Sequence, residues 1–527
     1  MGRVGFGVGD GEVRQLFSDR IPEKYVELAK VLDLFVKEED FKELYSPDMG
    51  RPSVPPVILI KVTLLQYLDN VSDRRAAGAA RFDLRWMCVL NTPLKWDGFN
   101  YSDLSNFRER LAEAGKEREL FDKLVAQLHE EGFIKSKKVR ADSYTVLSQV
   151  QFLGDLELIY ETCDKLLYAL ADHSSKTYNE LGEELIKAFE KNHPPFAKSR
   201  ETMKKRLKEY GEHAHRILET CRKNNLENLD EYQLLEQAFN EVYNLKEGGE
   251  VEVKDKIKRK MVSPHDPDAK VGKRGEKINP GYQAHICETI PGKNETPFIV
   301  TCMLNTADRP DYEALYEIAK DAKEKIDANE LTTDMGYTSA KEIVLCRTIG
   351  VEIVGRVKSD TRGKEGFQRK DFKVNIKREV AFCPAGKRSI RVKRKGEGLD
   401  ECLIFHFGKQ CLDCPNYGLC TKSKEGRSLE IQVMLSPIID KYRKKEKSVK
   451  YQKKLKRRCP VEGTISEAKR HGAGKARYRG LSKVEAQQLL TATAINIKRR
   501  VAAGLKLKQT GRTSLAHSRT PTLRPST

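Results

Sequence analysis

Three acidic residues that are far apart in the sequence each stand at a predicted strand or helix. Asp142 lies in a predicted strand, Asp334 ends another just before a Gly336 turn, and Glu462 lies near the start of a helix with densely basic flanks. Phosphodiester hydrolysis and transfer use two Mg²⁺ ions that carboxylates hold about 3.5–4 Å apart. The three acids therefore predict such a two-metal site. The alternative is that each is an ordinary capped or solvated carboxylate.

The helix around Glu462 is predicted to place a carboxylate and an ammonium on one face. Seven residues of α-helix turn through about 700°, so Glu462 and Lys469 are expected within about 20° of each other. Glu467 is expected on a different face, about 140° away. Periodicity does not place Arg458 on this face, because Pro460 is predicted to begin the helix.

A cysteine cluster follows in a basic segment. Its members are Cys383, Cys411, Cys414 and Cys420, of which Cys411 and Cys414 form a Cys-x₂-Cys pair. Thiolates at this spacing can share one tetrahedral Zn²⁺, which would stabilise a small insertion with little core. Cys402 and His406 are further candidates, and the alternative is reduced, partly buried packing. The remaining cysteines are predicted to be core residues: Cys88, Cys163, Cys221, Cys287, Cys302, Cys346 and Cys459.

Composition points to a polyanionic partner. The chain has 527 residues and a formal net charge of +20, which favours nucleic acid first and a membrane surface second. No run of about 18 apolar residues predicts a transmembrane helix. Without a secretory signal, twelve cysteines indicate reduced thiols in a cytoplasm. No GxxxxGK[ST] motif occurs, which argues against a P-loop ATPase.

Basic runs at 254–260, 387–395 and 441–458 predict binding to a phosphate backbone, although a charge run can also be a solvated face. Nearby tyrosines could stack on bases: Tyr442, Tyr451 and Tyr478.

The order of predicted elements is strand, helical insertion, two strands, then helix, strand, helix, strand, which suggests a mixed α/β sheet. The predicted units are an N-terminal segment (1–42), a helical domain (43–120), a catalytic domain (132–150, 262–360 and 440–504), a charged helical insertion (151–261), a basic Cys-rich insertion (361–439) and a disordered basic tail (505–527).

The motifs together resemble those of DDE transposases of bacterial or archaeal insertion sequences, with an InsH-like N-terminal domain. The blocks that carry the resemblance are Leu44-Tyr45-Ser46-Pro47 through Leu111, Ala141-Asp142-Ser143, Ser263 through Ala269 with Gly281-Tyr282, Asp334-Met335-Gly336-Tyr337, Arg458-x₃-Glu462-x₆-Lys469, Ala476 through Leu481, and Asn496 through Arg499. One departure is Leu455, which replaces the tyrosine expected three residues before the arginine, while Tyr451 lies one helical turn earlier.

The resemblance implies an RNase H-like catalytic fold in which Asp142, Asp334 and Glu462 hold two Mg²⁺ or Mn²⁺ ions. It implies cutting at inverted-repeat ends of double-stranded DNA and joining of the released 3′-OH ends to target DNA. A homodimer on DNA and a nucleoid-associated, cytoplasmic location are also expected, with no membrane contact. The expected DNA contacts are Arg457, Arg458, Lys469, Arg477 and Arg479. The alternatives are an RNase H-like endonuclease and a decayed transposase that only binds DNA.

Overall fold

The computed structural model describes residues 11–17, 19–44, 54–190, 199–274, 277–358 and 366–509. Helices precede the first strand: α1 (Glu12–Leu16), α2 (Glu23–Phe35), α3 (Pro56–Asp69), α4 (Asp73–Phe82), α5 (Leu84–Leu90), α6 (Tyr101–Glu113) and α7 (Lys116–Glu130). The region 43–120, which the sequence predicts to be helical, contains α3, α4, α5 and α6 and the start of α7. Pro55 precedes α3, and Asn100 begins α6 with a reciprocal capping box to Asp103, which satisfies backbone donors at the helix start.

These helices continue beyond the predicted limits of 43 and 120. Helix α2 and the 3₁₀ turn Glu38–Leu44 contribute Phe35 and Phe41 to the same hydrophobic cluster as α3 and α6, so no boundary separates them at residue 42. Helix α7 runs past residue 120 to Glu130. The segment 45–53, which holds part of the Leu44–Pro47 motif, lies outside the described residues.

The central sheet is mixed. Its described strands are β1 (Lys138–Leu147), β4 (Lys270–Arg274), β5 (Lys277–Thr289), β6 (Ile299–Thr306), β7 (Glu330–Thr332) and β8 (Glu352–Val354); the hairpin β2 (Tyr243–Leu245) and β3 (Val251–Val253) lies apart. Strand β5 pairs antiparallel with β1, β4 and β6, while β1, β7 and β8 are parallel to one another. Apart from β4, which the sequence patterns did not predict, these strands confirm the expected order.

Helices surround the sheet and build the insertion after β1. They are α8 (Asp155–His173), α9 (Ser175–Glu180), α10 (Glu183–Lys187), α11 (Arg200–Lys223) and α12 (Asp230–Val242) in the insertion, then α13 (Leu315–Ile326) and α14 (Ala340–Thr348) between the later strands. The insertion has a hydrophobic cluster of its own, formed chiefly by α8, α11 and α12. It is therefore a packed helical unit, as its predicted helical character requires.

The Cys-bearing segment is β-structured, which sequence patterning missed. It contains β9 (Lys373–Asn375), β10 (Val380–Phe382), β11 (Arg391–Lys395), β12 (Cys402–His406) and β13 (Ser428–Gln432). Leu403 and Phe405 of β12 are buried, and with Leu429 and Ile431 of β13 they form most of a small core. The strands are only three to five residues long, so their alternating apolar residues gave only a weak signal.

The final helices are α15 (Leu435–Glu446), α16 (Val449–Leu455), α17 (Val461–Arg470) and α18 (Leu481–Gln509). Helix α18 contradicts the predicted tail at 505–527, because residues 505–509 are helical; residues 510–527 lie outside the described part. Residues 484–497 of α18 are mostly buried on every face, as expected of a helix surrounded by other elements. It packs against α2, α3, α7 and β6, so the N-terminal helices and the sheet share one hydrophobic core.

All twelve cysteines lie within the described ranges, and none forms a disulfide. Six of the seven predicted core cysteines are buried, but Cys459 is exposed, because it lies on the turn that leads into α17 and not within a packed element. No described helix combines the length and apolar character that crossing a membrane requires.

Candidate active site

Asp142 lies in the middle of β1, between β5 and β7. Alternating side chains place Arg140, Asp142 and Tyr144 on one face of this strand. The Asp142 carboxylate accepts hydrogen bonds from Arg458 Nη1 at Oδ2 (2.5 Å) and from the Ser143 backbone N–H at Oδ1 (2.9 Å).

Asp334 follows β7 at the level of Asp142. Arg140 pairs with Thr332 in the parallel register, so two residues further along each chain lead to Asp142 and Asp334. Neighbouring strands lie about 4.8 Å apart, which makes these two residues near neighbours. The Oδ1 of Asp334 accepts the backbone N–H groups of Gly336 (2.8 Å) and Tyr337 (3.3 Å), and these bonds fold the turn that the sequence predicts here.

Glu462 lies in the first turn of α17, and its side chain is 66% exposed. It contacts the same arginine as Asp142, with Arg458 Nη2 lying 3.3 Å from Glu462 Oε1. Asp142, Glu462 and Lys469 line one open cleft of about 560 Å³, which we call the acidic cleft. The predicted shared face of Glu462 and Lys469 is thus confirmed. Glu467 points elsewhere, to Arg499 (2.8 Å).

Burial raises the pKa of the Asp142 carboxyl above its ordinary value. The Ser143 N–H and the Arg458 guanidinium oppose this shift, while the negative charges of Asp334 and Asp311 add to it. The electrostatic influence of Asp334 on Asp142 agrees with the register argument.

Asp311 is an acid near this site that sequence reasoning missed. A Cβ placed on Gly336 would lie 3.1 Å from Asp334 Oδ1 and 3.3 Å from Asp311 Oδ2, so those two oxygens are at most 6.4 Å apart, the sum of these distances. Gln283 Nε2 donates to Asp311 Oδ1 (3.0 Å) and to Ser143 Oγ (2.6 Å). The only signal for Asp311 in the sequence was its position near the start of the helix that is predicted after the two strands.

A buried ion cluster attaches α17 to the sheet. Glu288 of β5 is fully buried and accepts from Arg140 Nε (2.7 Å), Thr464 Oγ1 (2.5 Å) and Arg499 Nη1 (3.1 Å). Arg140 also donates to the backbone carbonyl of Arg457 (3.2 Å). Because Thr464 belongs to α17, this cluster sets the position of the helix that carries Glu462.

The predicted DNA contacts divide into two groups. Lys469 lines the acidic cleft and Arg479 is exposed. Arg477, in contrast, donates to Val71 O (3.0 Å) and Asn70 Oδ1 (2.7 Å), and so joins the N-terminal helices to the segment before α18. Both terminal nitrogens of Arg477 therefore already donate within the protein.

Arg457 is also engaged within the protein, because its Nη1 lies 3.2 Å from Glu330 Oε1. Two of the tyrosines expected to stack on bases are buried. Tyr442 donates to Ile353 O (2.8 Å) and Tyr451 to Gly355 O (2.9 Å), so neither ring is available for stacking on bases. The Tyr451 hydroxyl bonds to the backbone of Gly355, which follows β8.

The four clustered cysteines line one small cavity of about 20 Å³, which we call the cysteine cavity; its members are Cys383, Cys411, Cys414 and Cys420. Backbone N–H groups of Lys387 and Arg427 point at Cys383 Sγ (3.3 Å) and Cys411 Sγ (3.5 Å). Burial raises the pKa of Cys420, Arg427 opposes this, and the neighbouring thiols add to it. Cys402 and His406 lie in β12 and do not line this cavity.

Among the residues that the structure describes, no group of three or more His, Cys, Asp or Glu side chains is arranged so that it could hold a metal ion. At the acidic cleft the donors are carboxylate oxygens, the type that Mg²⁺ and Mn²⁺ prefer. The Arg458 guanidinium bonds to two of these carboxylates. In the present arrangement a cationic side chain therefore takes up oxygens that a divalent ion would need.

Two family models match the sequence. One is described as a transposase DDE domain and matches residues 382–501, and the other as a transposase domain (DUF772) and matches residues 15–110. Glu462 and Lys469 lie inside the first range, whereas Asp142 and Asp334 lie outside both. No curated protein and no solved structure matches the chain. The two matches confirm the resemblance to DDE transposases of insertion elements.

Proposed function

We propose that this chain, which is similar to transposases at both its N-terminal helices and its C-terminal third, cuts DNA at the ends of an insertion element and joins those ends to a target. The observation that carries this proposal is the meeting of Asp142, Glu462 and Lys469 in one cleft, with Asp334 beside Asp142. These residues come from β1, the end of β7, and α17. The mixed sheet beneath them supports an RNase H-like catalytic fold.

Asp142, Asp334 and Glu462 would hold two divalent ions, Mg²⁺ or Mn²⁺, although this requires Arg458 to release its two carboxylates. When bound, the ions supply a polarised water or 3′-OH nucleophile and neutralise charge on the scissile phosphate. Lys469 holds an ammonium in the same cleft, where it binds the phosphate beside the scissile bond. Arg458, once released, donates to the same backbone, so its two states exchange carboxylate for phosphate.

The positive charge supports duplex DNA as the partner, for both element ends and target. Lys469 and the exposed Arg479 are the DNA contacts we retain, with Arg458 joining them after its release. Arg457 and Arg477 stabilise the protein in this scheme. Bringing two element ends together favours a homodimer on DNA.

The test is to incubate the purified chain and Mg²⁺ with labelled duplex carrying the terminal sequences that flank its gene, and to resolve the strand products. We expect 3′-OH ends and, with added plasmid, joined products. Asp142→Asn and Glu462→Gln should abolish both while leaving end binding intact. The matched control is Ser466→Ala, at an exposed position on the same helix that does not line the cleft.

The rival functions give different outcomes in the same experiment. Cutting without joining would indicate an RNase H-like endonuclease. Binding without cutting would indicate a decayed transposase. Full Mg²⁺-dependent cutting by Asp142→Asn would contradict the assignment of the acids.

A further inference from the structure

A second groove adjoins the acidic cleft, and two residues line both. Thr145 of β1 and Asn279 of β5 face the acidic cleft on one side and this second groove on the other. The second groove is further lined by Gln283, Asp311 and two cations, Lys273 and Arg309. We call it the β4 groove, because β4 forms its outer wall. The shared lining shows that the two depressions adjoin each other.

A close backbone approach brings the two cations to this groove. Gly272 of β4 lies against the turn after β6, where a Cβ on residue 272 would come within 2.5 Å of Ala307 O. Only glycine fits this approach, so Lys273 and Arg309 follow two segments that touch. The turn is held by Thr306 Oγ1, which donates to Asp308 Oδ1 (2.6 Å), and by Lys260, whose Nζ is 3.1 Å from Asp308 Oδ2.

The charges of the β4 groove suit a phosphate backbone. Lys273 and Arg309 are exposed, and within the described residues neither forms a salt bridge. Gln283, Asn279 and Thr145 add uncharged polar groups. The one carboxylate, Asp311, accepts from Gln283 and lies near Asp334, so the negative charge is at the end that adjoins the acids. Each of the two adjoining depressions therefore contains cations beside an acid, Lys469 in the acidic cleft and the Lys273–Arg309 pair in the β4 groove.

We propose that the β4 groove holds the DNA strand on one side of the scissile phosphate, with Lys273 and Arg309 bonding to its phosphates. This rests on the proposed function, because it takes the acids as the point of cleavage. The strand runs from Lys469 over Asp142 and past Thr145 and Asn279. Neither Lys273 nor Arg309 lies in the three basic runs of the sequence.

The test compares Lys273→Gln/Arg309→Gln with Lys204→Gln/Lys205→Gln, which removes the same charge from exposed positions on α11. Binding of labelled terminal duplex is measured by fluorescence anisotropy over a series of salt concentrations. The groove variant should bind about tenfold more weakly, and the slope of log K against log salt should fall by about two, one for each phosphate that the variant no longer neutralises. The α11 variant should match the wild type.

DNA footprinting on the labelled duplex shows which side of the cleavage position the protein protects. We expect the groove variant to lose protection on one side of the cleavage position only, and Lys273→Arg/Arg309→Lys to restore it. Wild-type affinity and salt slope in the groove variant would overturn the proposal, as would a uniform loss of protection. Circular dichroism confirms that each variant is folded. If the proposed function itself fails, the wild type binds the duplex but does not cut it. If only the groove proposal fails, the wild type still cuts and the groove variant binds as tightly as the wild type.

Discussion

The Arg458 guanidinium lies 2.5 Å from Asp142 Oδ2, although 316 residues separate the two in the chain. The same guanidinium reaches Glu462 across one helical turn, at 3.3 Å. One side chain therefore links the strand that carries the first acid to the helix that carries the third. Its positive charge offsets the repulsion between the two carboxylates and so holds them close together before any other cation arrives.

Removing the Arg458 guanidinium should strengthen metal binding and yet slow DNA cutting. In Arg458→Gln we expect Mn²⁺ to bind about tenfold more tightly, since a like charge beside the carboxylates is removed. DNA cutting should nevertheless fall on the order of 100-fold, because a donor to the phosphate is lost. Calorimetric titration with Mn²⁺ measures the first effect. Arg457→Gln is the control, since it removes an equal charge that pairs with Glu330; equal Mn²⁺ affinity in both variants would contradict the idea.

The buried carboxylate of Glu288 should be essential to stability. Glu288→Gln leaves the Arg140 and Arg499 guanidinium groups without their shared anion, and removing one partner of a buried ion pair costs about 3–5 kcal/mol. Urea and thermal unfolding measure this destabilisation. Glu183→Gln, which breaks an exposed pair with Lys187, should cost about 0–1 kcal/mol. Equal effects of the two substitutions would show that the cluster does not hold α17 in place.

Glu117 should make stability depend on pH. Burial, with a smaller contribution from Glu485, raises the pKa of this carboxyl from 4.5 to about 7. The folded state therefore binds the proton more tightly than the unfolded state, and stability falls as pH rises from about 4.5 to 7. Glu117→Gln should lack this fall and should have the higher Tm above pH 7. Thermal melts across this range test it, with exposed Glu119→Gln as control; parallel curves for wild type and Glu117→Gln would contradict it.

Arg477 and Arg479 should have different roles despite being two residues apart. Arg477→Gln removes the bonds to Val71 and Asn70, so we expect a lower Tm and faster proteolysis between the N-terminal helices and α18. Arg479→Gln should leave Tm unchanged, weaken DNA binding a few-fold and lower the salt slope by about one. Melting curves and anisotropy on both variants decide the matter. If Arg477→Gln instead weakened DNA binding without lowering Tm, Arg477 would again be assigned as a DNA contact.

The cysteine cavity should bind one Zn²⁺ after small rotations of its thiols. Cys383, Cys411, Cys414 and Cys420 line one cavity of about 20 Å³, and cysteine sulfurs are ligands that Zn²⁺ prefers. Metal analysis should find one zinc per chain, absent from Cys414→Ser, which should also have a lower Tm. Cys346→Ser, at a buried position on α14, is the control that should keep zinc. Zinc-free protein with a full thermal transition would exclude the metal.

Local signals in the sequence were enough for the helices and strands that carry strong periodicity. The strand that carries Asp142 and the shared face of Glu462 and Lys469 were both predicted, and Pro55 and Pro56 stand where α3 begins. Each depends on residues within one or two helical turns. The weakly patterned strands of the Cys-bearing segment were missed for the same reason.

Relations across the chain were decided only by the tertiary structure. The burial of α18, which joins the N-terminal helices to the sheet, turned Arg477 from a predicted DNA contact into a packing residue. Asp311 and the β4 groove depend on how β4, β5 and the turn after β6 meet. Side-chain partners depend on which elements pack together, and no spacing along the chain encodes a contact between residues as distant as Arg458 and Asp142.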